Sequence, residues 1–318
     1  MALKILIGGS PCTYWSIAQT NNRETKAEGM GWELFKNYLI AKEKFKPDFF
    51  LYENNKSASQ AIKDQIAKEL GVELMYINSA LVSAQNRERF YAFNWGAEPP
   101  SDRGIQVVDV LEDIECEPIA RFKECVRKNV VREYEKIIEC RDKAIYCLEC
   151  DSGWQDNKIG LLKTPTLRAG NPFTLVRDKQ NRIRTITATE AARLQTMPDD
   201  YCKAVSDSQA YKALGNGWTA EVIIHLLNHA LKDVPRDEEI IVLSMYDGIA
   251  TGRYCLDKMG FTNVKYHAYE IDKYPIQVAM DNYPDIIQHG DAFAVREDDW
   301  QPPQTRSEWL DELLGGDL

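Results

Sequence analysis

The sequence has no apolar run near the roughly 20 residues that a membrane span requires, so a soluble protein with no membrane partner is expected. Residues 1–7, Met-Ala-Leu-Lys-Ile-Leu-Ile, lack the charged leader and small-residue cleavage site of a signal peptide and read as a buried strand. The 8 cysteines, irregularly spaced through 318 residues, do not form a disulfide framework, and a reducing, cytoplasmic setting is expected. Internal repeats and low-complexity tracts are missing too. So are a Gly-x-Gly-x-x-Gly fingerprint and a phosphate-binding Lys-Ser/Thr loop, which disfavours NAD and ATP as ligands.

Positive charge is the scarcer sign, with 39 Lys and Arg against 49 Asp and Glu and a net charge of −10. Taken whole, that balance argues against a polyanionic partner, but the charge is uneven. Residues 233–318 hold 7 basic and 18 acidic side chains. Residues 158–184 hold Lys158, Lys163, Arg168, Arg177, Lys179, Arg182 and Arg184 against Asp178 alone. Phosphate binding follows local basic surface rather than the whole-chain sum. This middle stretch is therefore either a face for a polyanion or a solvated loop.

What is present is enough chain to bury a full α/β core, in one large domain or two smaller ones. Short apolar segments at 3–7, 48–52, 72–77, 90–94, 240–244 and 265–269 read as strands. Helical periodicity marks 32–44, 58–70, 188–195, 220–231 and 251–259. The alternation predicts a doubly wound, mostly parallel sheet. Residues from about 96 to 187 break the rhythm, with clustered charges and short β-like pieces at 144–148 and 173–176, and are expected to form a smaller, irregular β-containing domain. The predicted division is 1–95, 96–187 and 188–318, the outer two segments building one domain.

Polar groups gather at the carboxyl ends of the predicted strands, where open α/β sheets bind ligands. Gly8-Gly9-Ser10-Pro11-Cys12 follows the first strand, and Glu53 follows the second. Tyr246-Asp247-Gly248-Ile249-Ala250-Thr251-Gly252 makes a strand-to-helix turn that lets backbone approach a ligand closely. Glu270 ends the next strand, where an acid can hold ribose hydroxyls, and Gly290-Asp291 follows Ile286-Ile287. The glycine pair alone is weak, since many such turns use glycine only for packing. With the spaced acids, a nucleoside-containing cofactor is the better reading. Cys12 is either a nucleophile at a sheet edge or a small buried hydrophobe. A neighbouring acid, Glu53, favours the former. In Gln85-Asn86-Arg87-Glu88-Arg89, extended chain places Gln85, Arg87 and Arg89 on one face, suited to phosphate or base oxygens, or to a surface ion-pair ladder with Glu88.

These residues resemble the cytosine-carbon-5 DNA methyltransferases. Gly9-Ser10-Pro11-Cys12 looks like the family's nucleophile motif, Glu53-Asn54-Asn55 like Glu-Asn-Val, and Gln85-x-Arg87-x-Arg89 like Gln-x-Arg-x-Arg. Arg184 to Gln195 with Met197-Pro198-Asp199-Asp200 is similar to the ninth family motif, and Leu214-Gly215-Asn216-Gly217 to the tenth. The segment from Asp247 to Gly252, Glu270 and Asp291 resemble the cofactor motifs. The family's usual order begins with the cofactor motifs; here they come last, as in a circular permutation. Thr13, Asn55 and Trp218 depart from the pattern, and RNA-directed relatives also vary at Thr13.

The resemblance implies a circularly permuted, Rossmann-like methyltransferase fold with residues 96–187 as target-recognition domain. It implies an S-adenosyl-L-methionine-dependent DNA (cytosine-5-)-methyltransferase, cytoplasmic in a prokaryotic cell or phage-infected host, acting on double-stranded DNA in a restriction–modification setting. Cys12, Glu53, Arg87 and Arg89 would be catalytic. Pro11, Asn216, Trp218, Tyr246, Asp247, Gly248, Ile249, Ala250, Thr251, Gly252, Glu270, Ile271 and Asp291 would hold the cofactor. Gln85, Lys163, Arg168, Arg177, Arg182 and Arg184 would touch nucleic acid. Residues 13–31 would form a lid hinged at Gly29 and Gly31. Cys147-x-x-Cys150, with Cys116, Cys125 and Cys140 nearby, invites zinc, but strand positions three apart face opposite sides, and no metal is assigned. A monomer is expected. An RNA cytosine methyltransferase, a non-catalytic relative that binds DNA or cofactor, and, more remotely, a nicotinamide oxidoreductase are the competing readings.

Overall fold

A computed structural model describes residues 2–17, 21, 23–114, 146–149, 159–169, 174–177, 183–305 and 308. The chain divides into two compact units: Met1–Ile77 with Glu88–Pro99 and Val222–Leu318, and Asn78–Arg87 with Pro100–Glu221. The second unit therefore takes in more than the expected middle segment, including residues 188–221 and the short stretch Asn78–Arg87.

The strands, in chain order, are β1 (Leu3–Gly8), β2 (Phe49–Asn55), β3 (Leu74–Asn78), β4 (Glu88–Phe93), β5 (Tyr146–Glu149), β6 (Ile159–Leu161), β7 (Thr174–Arg177), β8 (Ile183–Thr185), β9 (Ile240–Met245), β10 (Val264–Tyr269) and β11 (Ile287–Gln288). The first unit is built on a seven-stranded sheet in the order β11-β10-β9-β1-β2-β4-β3. β1 lies parallel to both β2 and β9, and β9, β10 and β11 are mutually parallel. β4 runs antiparallel to β2. Strands covered on both faces must be apolar throughout. Accordingly all six residues of β9, Ile-Ile-Val-Leu-Ser-Met, are buried.

Helix Met30–Phe45 covers one face of this sheet because Trp32, Phe35, Tyr38, Ala41 and Phe45 recur every three or four residues and are all buried. Phe35 and Tyr38 place their rings edge-on to Tyr52 of β2, with centroids 5.1 and 5.0 Å away. Helix Gln60–Leu70 starts at Ser59, whose side chain accepts from the Ile62 amide, and stops at left-handed Gly71.

β2 continues three residues past the predicted end at 52, so Glu53, Asn54 and Asn55 lie in the strand rather than beyond it. The antiparallel partner is the cause. Glu53 pairs with Tyr91 and Asn55 with Arg89 in the ladder, which keeps the backbone extended where polar side chains alone would have suggested a turn. The second unit carries the antiparallel sheet β6-β5-β7-β8 and the helices Ala188–Leu194 and Asp207–Asn216. Among the described residues no helix is long and apolar enough to cross a membrane.

Candidate active site

β1, β2, β9 and β10 are parallel, so their carboxyl ends share one edge of the sheet. β4 enters that edge from the opposite direction, and Arg89 near its start arrives beside the end of β2. On one face of an antiparallel pair, diagonal neighbours are within reach of long side chains. Arg89 and Glu53 are such a pair: Arg89 Nε lies 2.9 Å from Glu53 Oε1, with the side chains only 14% and 10% exposed. A charge pair this sheltered is screened little by salt. It offers a fixed carboxylate oxygen and a fixed guanidinium to anything placed against them.

The turn after β1 lies against this pair. A Cβ on Gly9 would stand 2.7 Å from the Glu53 carbonyl oxygen and 3.2 Å from Glu53 Oε2, so only glycine lets the chain pass the end of β2. Ser10 Oγ shares a 2.7 Å hydrogen bond with Tyr52 OH. Asn54 Nδ2 donates to the Ser10 carbonyl at 2.9 Å and to Tyr52 OH at 3.1 Å. All three residues are buried. Cys12 opens the short turn Cys12–Tyr14, its carbonyl accepting from the amides of Trp15 and Ser16. Trp15 is fully buried, whereas Cys12 is partly exposed. The nucleophile candidate thus stands on a turn anchored on both sides.

The cofactor candidates occupy the ends of β9, β10 and β11. Tyr246 and Ala250 adopt positive φ, 61° and 59°, as does Gly248 at 65° between them. Side chains other than glycine rarely take this conformation, so the loop is locally strained and held by its surroundings. A Cβ on Gly248 or on Gly290 would meet nothing within 4 Å, so both backbones face open space. Gly252 is the reverse case: a Cβ there would strike Ile7 Cδ1, and the glycine permits close packing of helix Thr251–Lys258 on the sheet.

Glu270 accepts from the amides of Gly248, Ile271 and Asp272 at 2.9, 2.8 and 2.8 Å. Its carboxylate is thereby fixed at the edge with acceptor capacity left over. Ile271 beside it is 73% exposed. Asp291 caps the turn Ala292–Arg296 by accepting from the Phe293 amide at 2.9 Å. An open glycine backbone flanked by carboxylates fits a nucleoside bearing hydroxyl and amine donors.

Asp247 is a supporting group. Its Oδ1 accepts from Ser244 Oγ at 2.7 Å and Tyr266 OH at 2.6 Å. Burial pushes its carboxyl up to about 6, against those two hydrogen bonds, which favour the ionised form. Between 3.8 and about 6 the folded chain then keeps a proton that the unfolded chain has released, so stability falls as pH rises through this window. The full difference is roughly 3 kcal/mol. Asp247→Asn should remove this slope in thermal midpoints measured across the window. Parallel curves for wild type and variant would contradict the assignment.

Several sequence expectations need correction. Arg87 does not join Arg89. The chain leaves the second unit at Arg87 and enters the sheet at Glu88, and the Arg87 side chain, 3% exposed, donates to the carbonyls of Leu167, Gly215 and Gly217. Gln85 is fully buried, its amide nitrogen donating to the Leu194 carbonyl and its oxygen accepting from the Leu167 amide, and so offers no surface to nucleic acid. Arg184 is buried against Glu190 at 2.6 Å and serves the interior of the second unit. Lys163 spends its ammonium on the carbonyls of Ala80 and Ser83. Arg87, Gln85 and Lys163 thereby satisfy backbone groups that would be costly to leave unpaired, and Arg184 pairs a buried carboxylate.

Gly31 is a packing glycine rather than a hinge, since a Cβ would lie 2.5 Å from Trp15 Nε1, whereas Gly29 does hold φ 84°. Arg168 and Asn216 are exposed and Trp218 partly so, all within the second unit. Lys158, Lys179, Arg182, Cys116, Cys125, Cys140 and Cys150 lie outside the described residues, and of Arg177 and Cys147 only the backbone is described. Part of the expected lid, residues 18–20 and 22, is also outside them.

Sequence reasoning leaves Ser10 and Asn54 without roles of their own and misses Tyr52, Ser244 and Tyr266. Ser244, three residues before Asp247 at a strand end, carries a readable signal. The others act across strands far apart in sequence.

Fold and site together define an open α/β protein with a cysteine, carboxylate and guanidinium at one sheet edge, beside an acid-lined glycine cradle. Residues 2–232 match the family model of C-5 cytosine-specific DNA methylases, and the chain belongs to that family. Among curated relatives, type II methyltransferase M1.ScrFI of Lactococcus lactis subsp. cremoris is 28% identical over 251 residues, covering 72% of this chain and 62% of that protein. Type II methyltransferase M.SsoII of Shigella sonnei is 26% identical over 264 residues, covering 69% and 62%. Type II methyltransferase M.HpaII of Haemophilus parainfluenzae is 26% identical, covering 67% of each. The chain thus spans less than two thirds of the first two relatives. A solved structure of a Spodoptera frugiperda DNMT2 mutant is 16% identical with a TM-score of 0.43, covering 70% of this chain and 78% of that one.

Proposed function

We propose that the protein is an S-adenosyl-L-methionine-dependent DNA cytosine-5 methyltransferase whose sequence is circularly permuted. The observation that carries the reading is the Glu53–Arg89 pair set against the turn of Cys12. The cofactor, when bound, supplies an electrophilic methyl group on a sulfonium. Gly248 and Gly290 leave space for its nucleoside, Glu270 would hold the ribose hydroxyls, Asp291 the adenine amine, and Tyr246 would pack beside it. The family resemblance adds Pro11, Asn216 and Trp218 to that set.

Chemistry at the base follows from the three fixed groups. The target cytosine is flipped out of the duplex to reach them. The Cys12 thiolate adds to ring carbon 6, and the bond electrons displaced from the 5,6 double bond make carbon 5 nucleophilic. Glu53 accepts from the exocyclic amine and shares a proton with ring nitrogen 3, while Arg89 holds the base's carbonyl oxygen, where negative charge develops. After carbon 5 is methylated, loss of its proton and expulsion of Cys12 restore the ring. Arg87, spent on loop carbonyls, positions residues 167 and 215–217 rather than touching substrate. Residues 96–187 would supply base readout. Arg168 remains a candidate phosphate contact, as do Arg177 and Arg182.

Support for the permutation lies in the order of the sheet. β1 lies in the middle of the sheet, with β2 on one side and β9, which starts at Ile240, on the other; from β9 the strands β10 and β11 extend outward. The family match ends at 232, ahead of these strands. A rearranged order is physically tolerable, because chain ends lying close together can be joined and reopened elsewhere without disturbing the core. The reaction is tested by incubating the protein with tritiated methyl donor and either duplex DNA or transfer RNA. Label entering DNA is expected. Label entering only RNA would favour the RNA-directed reading, and none in either the non-catalytic one.

A further inference from the structure

Asn37 lies in the middle of helix Met30–Phe45, wholly buried, where an unsatisfied amide would be costly. Both ends of that amide are used. Nδ2 donates to Tyr246 OH at 3.1 Å, and Oδ1 accepts from Arg296 Nε at 2.5 Å. The two partners come from opposite flanks of the cradle. Tyr246 opens the loop after β9 at a strained φ of 61°, and its hydroxyl proton goes to the Leu34 carbonyl 2.7 Å away. Arg296 ends the turn Ala292–Arg296 that Asp291 begins. Its remaining nitrogens grip Glu33, Nη1 at 2.9 Å to Oε2 and Nη2 at 2.7 Å to the carbonyl, and its guanidinium covers the Phe293 ring at 4.8 Å.

The Asp291 turn and the Tyr246 loop are therefore spaced by one buried amide. Glu270 between them has its own support from three backbone amides and does not need it. We propose that Asn37, acting through Tyr246 and Arg296, is a positioning residue that sets affinity for the nucleoside cofactor. This rests on the methyltransferase reading above. Without Asn37 the Tyr246 hydroxyl keeps only its bond to Leu34, the strained loop is free to relax, and the Asp291 turn loses one of its holds on the helix. Cys12, Glu53 and Arg89 lie at other strand ends, so the chemistry at the base should be spared.

The experiment measures the Kd for S-adenosyl-L-methionine by calorimetry, with KM for cofactor, KM for duplex DNA and kcat, on the full chain. Asn37→Ala should raise cofactor Kd and KM about tenfold while DNA KM and kcat move less than about twofold. Asn37→Asp keeps the acceptor for Arg296 but not the donor to Tyr246, and should give a smaller increase. In a Tyr246→Phe background the effect of Asn37→Ala should shrink, because the pair is coupled. A cofactor Kd within about twofold of wild type, or equal losses for cofactor and DNA, would overturn the proposal. Should Asn37→Ala not fold, Arg296→Lys, at a third-exposed side chain, carries the same test: cofactor KM rises alone if the proposal holds, and no change overturns it. Wild-type protein that does not bind the cofactor would instead refute the functional reading itself, and the role of Asn37 with it.

Discussion

Cys12→Ser should leave the protein folded and stop methyl transfer, lowering kcat by more than about 10³-fold, as loss of a nucleophile does in other covalent enzymes. Serine keeps the size of the side chain, and its hydroxyl is far less ionised than a thiol near neutral pH. The turn itself depends on other atoms: the Cys12 carbonyl, the Ser10–Tyr52–Asn54 bonds and the buried ring of Trp15. Thermal stability should therefore change little. The sharper measurement is trapping. A duplex carrying 5-fluorocytosine cannot lose fluorine from carbon 5 as it would a proton, so the adduct persists and migrates as a covalent complex in a denaturing gel. Wild-type protein should form it and Cys12→Ser should not. A complex that survives the substitution would show that another residue attacks.

Glu53→Gln is expected to lower kcat by about 10²-fold, the range for a positioned acid. Glutamine can still hydrogen-bond Arg89, but it carries no charge for that guanidinium and cannot protonate or polarise a ring nitrogen in the same way. Glu53→Ala should add a stability cost of about 3 kcal/mol, because the mostly buried Arg89 loses its carboxylate. The two variants separate chemistry from folding. Methyl transfer at the wild-type rate by Glu53→Gln would remove Glu53 from the mechanism, and equal melting of wild type and Glu53→Ala would show that the ion pair contributes nothing to the fold.

Much of the sheet is legible in the sequence. Apolar runs bounded by glycine and polar residues mark β1, β2, β4, β9 and β10, because strands covered on both faces exclude polar side chains. The breaks after β1, β9 and β10 are legible for the same reason, at Gly9, Gly248 and Glu270, whereas Glu53 interrupts the apolar pattern inside β2, which runs on to Asn55. Capping is local as well. Thr187 and Glu190 form a reciprocal box at the start of helix Ala188–Leu194, as their three-residue spacing allows.

The arginines are not legible in this way. Arg87 and Arg89 stand two apart, and alternation alone puts them on one face. Their fates diverge because the strand begins between them, at Glu88, and only the pairing of β4 with β2 decides that boundary. Arg184 and Lys163 count as surface charge in any sum over residues 158–184, yet buried carbonyls and Glu190 claim them. Charge density in a sequence says nothing about which cations the interior consumes.

By itself, then, the sequence determined the class of fold, the apolar strands that lead to Cys12, Glu53 and Glu270, and their resemblance to a methyltransferase family, since these follow from local pattern and residue type. Tertiary structure alone decided that Arg89 meets Glu53, that Asn54 and Tyr52 lock the turn of Cys12, and that Asn37 spans the two flanks of the cradle. Each of these depends on which distant segments become neighbours. That is fixed by sheet order and packing, and no spacing along the chain encodes it.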